Sequence, residues 1–134
     1  MDRLGSVPPG PYEEAVGYSR VVRAGQHVWV AGCTSVNEYG VVEGLTPGEQ
    51  AALALKRILD ALSRVGATAD DVVRTRMFTT DISRSDEIGR AHGEVFSKVR
   101  PVTAMYEVSG FIDPRMLVEI EAVAYVGEES GSHG

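Results

Sequence analysis

The chain has 134 residues, of which 43% are hydrophobic and 24% are charged, and its formal net charge is −6 at pH 7. This length and composition suit one folded domain over residues 1–134 and exclude an intrinsically disordered chain. The negative charge disfavours nucleic-acid phosphates, and no apolar stretch reaches the roughly 20 residues of a membrane-spanning helix, so neither nucleic acid nor membrane is an expected partner.

The two termini and the single cysteine carry limited information. Residues 1–11 lack the apolar region of a secretory signal, so a cytoplasmic location is expected. Cys33 has no CxxC companion and no intrachain disulfide partner, and it is typical of a small buried residue at a strand end. Residues 127–134 are rich in Gly, Ser and Glu and are predicted to form a flexible tail, which leaves a core at about 18–126.

The first predicted elements are two strands. Residues 18–23 and 27–33 are rich in β-branched and aromatic side chains, and they flank a short Gly-containing turn at 24–26, which predicts a β-hairpin. A turn is predicted at 37–40, and residues 41–42 are a candidate short strand.

A helix start follows, with Thr46 as N-cap, Pro47 at the first helical position and Glu49 closing a capping box. Apolar residues then recur at steps of three and four, which predicts an amphipathic helix that ends at Gly66. These apolar positions are Ala51, Leu55, Ile58, Leu59, Leu62 and Val65.

The second half of the domain is predicted to be strand, helix, strand, strand. In residues 72–80 the side chains of Val73, Thr75, Met77 and Thr79 alternate with those of Arg74, Arg76 and Phe78, as in a half-buried strand. A second helix has Ile88, Ala91, Val95 and Val99 on one face and is expected to end before Arg100 and Pro101. The last two strands are predicted at 102–108 and 116–126.

Two helices interleaved with five or six strands predict an α+β fold, a sheet with both helices on one face. The other face of the sheet is too apolar to remain in water in so short a chain. We therefore expect a symmetric oligomer that buries this face or an edge of the sheet.

Two acidic residues stand out in the apolar last strand. Alternation places Glu119 and Glu121 on the same face, about 7 Å apart. One interpretation is a general acid or base whose pKa is raised by burial and by its neighbour. Another is cross-strand ion pairing with Arg74 and Arg76. A third divides the roles, with one structural and one catalytic glutamate.

Further candidates for a small-molecule pocket are Arg74, Arg76, Tyr18, Tyr106, Trp29 and His92. The two arginines could hold a substrate carboxylate, or form ion pairs on a solvated face. The three aromatic residues could line a pocket, or belong to the core or an interface. The histidine has no second His or Cys at ligand spacing, so no metal site is expected.

Several segments resemble the Rid (YjgF) family. Residues 17–25 (Gly-Tyr-Ser-Arg-Val-Val-Arg-Ala-Gly) and 28–32 (Val-Trp-Val-Ala-Gly) are similar to the opening hairpin of that family. Later signatures follow in the same order and spacing, at 70–74, 79–82, 100–101 and 118–122. The resemblance covers about 18–126, and its closing Val-Glu-Ile-Glu-Ala run is fairly specific.

The resemblance implies a fold similar to chorismate mutase of the bacterial trimeric type, with a sheet of five to six strands and two helices on one face. It also implies a homotrimer with clefts between subunits. For the archetypal members it implies hydrolysis of enamines and imines, such as 2-aminoacrylate, to 2-oxo acids and ammonia without a cofactor. The expected ligand is therefore a small molecule.

The resemblance also implies roles for particular residues. Tyr18 matches the tyrosine that lines the family's cleft, Gly32 matches the backbone position beside the ligand, and Glu119 matches the glutamate that positions or activates water. Main-chain amides near Ala104 would hold a polar group of the ligand. Apart from the resemblance, Arg76, Tyr106 and His92 are further candidates for ligand contact.

One position departs from the family. The arginine that clamps the substrate carboxylate falls at Thr103, and losing such a contact costs about 2–4 kcal/mol of binding. Archetypal 2-aminoacrylate activity is therefore not expected. The resemblance, with this departure, implies a hydrolase-like protein that acts on or binds another small imine, enamine or carbonyl compound. One alternative is a non-catalytic ligand-binding or regulatory trimer, and another is a pathway-specific enzyme of secondary or catabolic metabolism.

Overall fold

A computed structural model of the chain describes residues 1–127. In this part of the chain there are six strands and three α-helices, in the order β1 (Asp2–Leu4), α1 (Pro11–Val16), β2 (Val21–Ala24), β3 (His27–Cys33), α2 (Pro47–Arg64), β4 (Val72–Thr79), α3 (Ser85–Phe96), β5 (Val102–Glu107) and β6 (Val118–Tyr125). Single 3-10 turns precede β4 and α3. Apart from Gly127, the predicted tail lies outside the described residues.

The six strands form one mixed sheet in the order β1-β2-β3-β6-β4-β5. All neighbours are antiparallel except β4 and β5, and α3 provides the crossover that this parallel pair requires. Helix α2 packs on β3 and β6, and α3 packs beside α2. The predicted α+β fold with two main helices on one face is confirmed, and the sheet has six strands.

The core lies between α2, α3 and the covered face of the sheet. The apolar stripe predicted for α2 is buried there, with Leu55, Ile58 and Leu62 fully inaccessible to solvent. The sheet side chains in the same cluster alternate along their strands, as in Val118, Ile120, Ala122 and Ala124 of β6. Removal of this apolar area from water stabilises the packing of helix on sheet.

The start of α2 is formed by local hydrogen bonds. Thr46 Oγ1 accepts a hydrogen bond from the backbone N–H of Glu49 at 3.1 Å, and Pro47 occupies the first helical position. The carboxylate of Glu49 accepts from the N–H of Leu45 at 3.1 Å, one residue earlier than a capping box predicts. Both bonds satisfy backbone donors that would otherwise lack partners.

We expect Thr46→Ala to lower the free energy of unfolding by about 1 kcal/mol, because it removes this N-cap acceptor. Thr46→Ser retains the hydroxyl and is the matched control. Urea unfolding followed by circular dichroism measures both variants. Equal stability of Thr46→Ala and the wild-type protein would show that water replaces the cap at no cost.

Two elements near the N-terminus were not predicted. β1 has three residues and pairs with β2 through Leu4 and Val21, and α1 has six residues. Such short elements show no periodicity from which they could be recognised. The candidate strand at 41–42 reduces to a single bridge between Val36 and Val42.

Helix α3 ends before Arg100, as predicted, whereas one side chain of β4 departs from the predicted alternation. The last helical residue is Phe96, whose carbonyl accepts a hydrogen bond from the N–H of Arg100, a residue in the left-handed conformation with φ of 55°. Val73 is exposed, although alternation places it inside, because the pairing of β4 with β6 shifts between Val72 and Arg74. This bulge moves Val73 out of the alternating pattern.

Candidate functional site

Three predicted site residues, Tyr18, Gly32 and Glu119, line one groove of about 500 Å³. The groove lies between the N-terminal segment at 6–13, the exposed side of α2 and the end of the sheet where β3 pairs with β6. The structure therefore brings together residues that are up to 101 positions apart in the sequence. A groove of this size suits a small molecule.

Gly32 lies against the side chain of Glu119. The pairing of β3 with β6 is irregular between Val30 and Cys33, and this irregularity places Gly32 beside Glu119. A Cβ atom on Gly32 would lie only 2.7 Å from Cδ of Glu119 and 3.0 Å from its Cγ. Only glycine leaves room for the carboxylate in this position.

Glu119 is partly buried and has a raised pKa. Burial is the main cause, the charge of Glu121 adds to it, and the guanidinium of Arg20 acts in the opposite direction. Within residues 1–127 no cationic side chain reaches ion-pair distance of Glu119. A carboxylate in these surroundings can accept a proton more readily than an ordinary glutamate.

Arg20 is a site residue that the candidate residues from the sequence did not include. Arg20 is buried, with only 8% of its surface exposed to solvent. Its Nη1 donates to the carbonyl of Gly32 at 2.7 Å and of Ala31 at 3.3 Å, and its Nε donates to Ser6 Oγ at 3.3 Å. Arg20 thus holds the irregular part of β3 and the N-terminal wall of the groove. The sequence feature that could have indicated this role is a positively charged residue next to an apolar strand.

Glu121 differs from Glu119 in its contacts. It faces Arg76 directly across the β4–β6 pair, and Arg76 Nε lies 3.0 Å from Glu121 Oε1. The ion-pair interpretation is therefore correct for Glu121 and Arg76, whereas Glu119 is opposite Phe78. The structure separates the two glutamates, as the third sequence interpretation allowed.

The Arg76–Glu121 pair is partly exposed, so we expect a coupling free energy of about 0.2–1 kcal/mol. A double-mutant cycle with Arg76→Gln and Glu121→Gln, followed by urea unfolding, measures it. The coupling should fall in high salt, because solvent ions screen exposed charges. A coupling that is insensitive to salt would contradict this expectation.

Thr103 and His92 lie on the other side of the sheet from Glu119. Thr75 Oγ1 is 2.8 Å from His92 Nε2 and 2.8 Å from Thr103 Oγ1. Thr75 is opposite Thr103, Phe78 is opposite Glu119, and residues three apart on a strand point to opposite faces. One chain therefore does not bring Thr103 and Glu119 to the same site.

The remaining predicted residues lie on the helix-free face of the sheet or close to it. Ala104 is opposite Arg76, and the ring of Tyr106 stacks on Phe78 with a centroid distance of 5.8 Å. Arg100 Nε donates to the carbonyl of Ser97 at 3.1 Å. This face, which we call the open face, exposes large side chains: Trp29, Val102, Tyr106 and Tyr125.

The part of the chain that the structure describes contains neither a cluster of metal-ligating side chains nor a membrane-spanning helix. Within 1–127 no three His, Cys, Asp or Glu side chains are grouped so that they could hold a metal ion. None of the helices in this range is both long enough and apolar enough to cross a membrane.

The fold and the groove define a class of small α+β proteins, and comparison with known proteins identifies the family. Residues 11–126 match the family model described as Endoribonuclease L-PSP. Protein SCO2049 of Streptomyces coelicolor is 40% identical over 117 residues, which are 87% of each chain. The RutC family protein PYRAB12510 of Pyrococcus abyssi is 28% identical over 88% of each chain.

Solved structures agree with this match. Rv2704 of Mycobacterium tuberculosis, a member of the YjgF/YER057c/UK114 family, is 49% identical, with a TM-score of 0.85 over 93% of this chain and 98% of Rv2704. TM0215 of Thermotoga maritima is 25% identical, with a TM-score of 0.83 over 96% of this chain and all of that one. The chain belongs to the YjgF/YER057c/UK114 family, the Rid family that its sequence resembles. The predicted membership and the chorismate-mutase-like fold are confirmed.

Proposed function

We propose that the protein is a homotrimer that binds a small imine, enamine or carbonyl compound in a cleft between subunits and hydrolyses the C=N bond of an imine without a cofactor. The observation that carries this proposal is Glu119, a partly buried carboxylate with a raised pKa that lies against Gly32 in a groove with Tyr18. The lone buried Cys33 suits a reducing compartment, and we place the protein in the cytoplasm.

Glu119 acts in this proposal as the base that activates water. The water oxygen attacks the imine carbon, and Glu119 takes one proton from the water and passes it to the imine nitrogen, which gives a carbinolamine. Glu119 then takes the proton of the carbinolamine hydroxyl and gives it to the amine nitrogen as the C–N bond breaks, so that ammonia leaves and a carbonyl group remains. An enamine enters the same path after tautomerisation, in which its carbon gains a proton and its nitrogen loses one. Tyr18 contacts the ligand from the side of the groove.

The positions of the candidate residues support a cleft between subunits. Thr103 and Glu119 point to opposite faces of the sheet in one chain, so both can contact one ligand only if two subunits contribute them. The open face of the sheet also carries exposed aromatic side chains, which an assembly would remove from water. A closed symmetric trimer satisfies both conditions.

The substrate of this cleft differs from that of the archetypal members. Thr103 carries no charge where the family has its carboxylate-binding arginine. Arg76 is paired with Glu121 through its Nε, and the Nε of Arg100 donates to the carbonyl of Ser97 at the end of α3, so both guanidinium groups already have a partner within the chain. A ligand with a neutral or aromatic substituent therefore fits better than one with a carboxylate, and Ala104 and Tyr106 contribute backbone and ring contacts to it.

The test has two parts. Light scattering in solution should give a particle of three times the chain mass. Imines should be generated in situ by an amino-acid oxidase, for the carboxylate-bearing case, and by an amine oxidase, for the neutral case. The proposal is supported if the wild-type protein hydrolyses the neutral imine and Thr103→Arg gains turnover of the carboxylate-bearing imine. A dimer or a monomer in solution contradicts the proposal. Hydrolysis of the carboxylate-bearing imine by the wild-type protein, at the same efficiency as the neutral imine, also contradicts it.

The missing arginine also favours a second candidate, a trimer that binds the same class of ligand without turnover. Ligand binding that is unchanged in Glu119→Gln, with no hydrolysis by wild type, would support this candidate. The nuclease activity in the name of the matched family model is a poor fit, because the net charge of −6 repels RNA phosphates. Failure to bind RNA even at low salt would exclude it.

A further inference from the structure

A hydrogen-bonded network crosses from α3 to the edge strand β5, and we call it the Thr103 network. It consists of Thr103, Thr75 and His92, with Thr75 Oγ1 2.8 Å from both of its neighbours. Thr75 is fully buried and His92 is 8% exposed, whereas Thr103 is exposed. The network therefore links a buried imidazole to a hydroxyl at the surface, at the position where the family has its arginine.

The single hydrogen of the Thr75 hydroxyl couples the hydrogen bonding of His92 to that of Thr103. The hydroxyl of Thr75 has one hydrogen and can donate it to only one neighbour. If it donates to Thr103, then His92 Nε2 carries a hydrogen and donates to Thr75, and Thr103 has its own hydrogen free to point outward. If Thr75 donates to Nε2, then His92 carries its hydrogen on Nδ1, and Thr103 donates inward. Thr103 then offers only lone pairs to a ligand.

His92 can serve both arrangements because it is neutral. Burial lowers its pKa, so around neutral pH the ring has one N–H group and one lone pair. Passing from one arrangement to the other requires the loss of a proton at Nε2 and the gain of one at Nδ1, both exchanged with water. The hydrogens of the two hydroxyl groups only rotate.

Building on the proposed function, we propose that Thr75 and His92 are positioning residues that decide whether the Thr103 hydroxyl donates or accepts a hydrogen bond in the cleft. An imine N–H group can donate a hydrogen bond, whereas the carbonyl oxygen of the product can only accept one. The Thr103 network can serve both groups. An arginine at this position can only donate, and it suits a carboxylate. The network therefore selects an uncharged imine or carbonyl group.

Nitrogen NMR of the full-length protein with ¹⁵N-labelled histidine tests the network without a ligand. The chain has three histidines, and His92→Gln identifies the signals of His92 by their loss. Thr103→Val removes the acceptor of the Thr75 hydrogen, so this hydrogen turns towards Nε2. We expect the population of the Nδ1–H tautomer of His92 to rise in Thr103→Val and in Thr103→Ala, and to stay at the wild-type level in Thr103→Ser. An unchanged tautomer in folded Thr103→Val would overturn the proposal.

Kinetics provide the second readout. Thr75→Val keeps the shape of the side chain but removes both hydrogen bonds of the network, and we expect KM for the neutral imine to rise about 5-fold. Thr75→Ser should restore the wild-type KM. Equal KM values in Thr75→Val and wild type would overturn the positioning role.

The two readouts separate this proposal from the proposed function. If the tautomer population of His92 changes in Thr103→Val but the wild-type protein hydrolyses no imine, the result contradicts the hydrolase function and supports the network. An active enzyme whose His92 tautomer ignores Thr103 would support the hydrolase function and overturn the network.

Discussion

Glu119→Gln is expected to lower kcat for imine hydrolysis by roughly 10²–10⁴-fold, because glutamine cannot take a proton from the attacking water. The side chain keeps its size and has no ion pair to lose among the described residues, so the fold should remain intact. Steady-state kinetics on the neutral imine measure the loss. Glu121→Gln is the matched control, since it removes the neighbouring charge on the same strand face and leaves the base in place.

The raised pKa of Glu119 gives this prediction a pH dependence. The base is active when it is ionised, so kcat of the wild type should fall on acidification at a pH above the ordinary glutamate value of 4.5. Glu119→Gln should show no such step. A wild-type profile that is flat down to pH 4.5 would contradict the assignment of Glu119 as the base.

The same shift affects stability, and its sign follows from linkage. In the pH range between 4.5 and the raised pKa, the folded state binds more protons than the unfolded state, so stability falls as the pH rises. The ionised Glu119 therefore costs stability at neutral pH. We expect Glu119→Gln to be more stable than wild type at pH 7, with the difference disappearing below pH 4.5. Urea unfolding at a series of pH values measures this.

Gly32→Ala is the second substitution with a large expected effect. The added Cβ would lie 2.7 Å from Cδ of Glu119, so the carboxylate must move away from its position. We expect kcat to fall about 100-fold, since a displacement of about 1 Å has that effect on a catalytic group. The unfolding free energy should fall by about 1 kcal/mol, because the flexible Glu119 side chain relieves part of the overlap.

A second variant tests whether the overlap with Glu119 is the cause. In a Glu119→Ala background, Gly32→Ala should have almost no further effect on stability, because the colliding atoms are gone. Gly89→Ala is the matched control, since no atom lies within 4 Å of a Cβ at this exposed helical position. It should raise stability by about 0.5–1 kcal/mol. If Gly32→Ala lowers the unfolding free energy in the Glu119→Ala background as much as it does in the wild-type background, the cause is strain in the backbone of β3 instead.

Helix α2 shows which features can be predicted from local sequence. Its cap depends on residues three apart, and its buried face follows from a period of 3.6, so both are determined within one segment. The alternation of β6 likewise placed Glu119 and Glu121 on one face in advance. Apart from the partner of the Glu49 carboxylate, these predictions were correct, because neighbouring residues alone decide them.

The roles of the two glutamates required the tertiary structure. Arg76 is opposite Glu121 because of the register between β4 and β6, and alternation within one strand contains no information on that register. The bulge that exposes Val73 depends on the same pairing. Similarly, the contact between Gly32 and Glu119 depends on an irregularity in the pairing of β3 with β6.

By itself, the sequence determined the α+β class, the family, the helix α2 with its cap and the shared face of the two glutamates, because these depend on short-range periodicity or on motifs read along the chain. Only the tertiary structure decided that Arg20 holds the wall of the groove, that Glu121 and not Glu119 has an ionic partner, and that Thr103 bonds to Thr75 on the opposite side of the sheet. These contacts join segments far apart in sequence, and strand register and burial, which arise only on packing, select them.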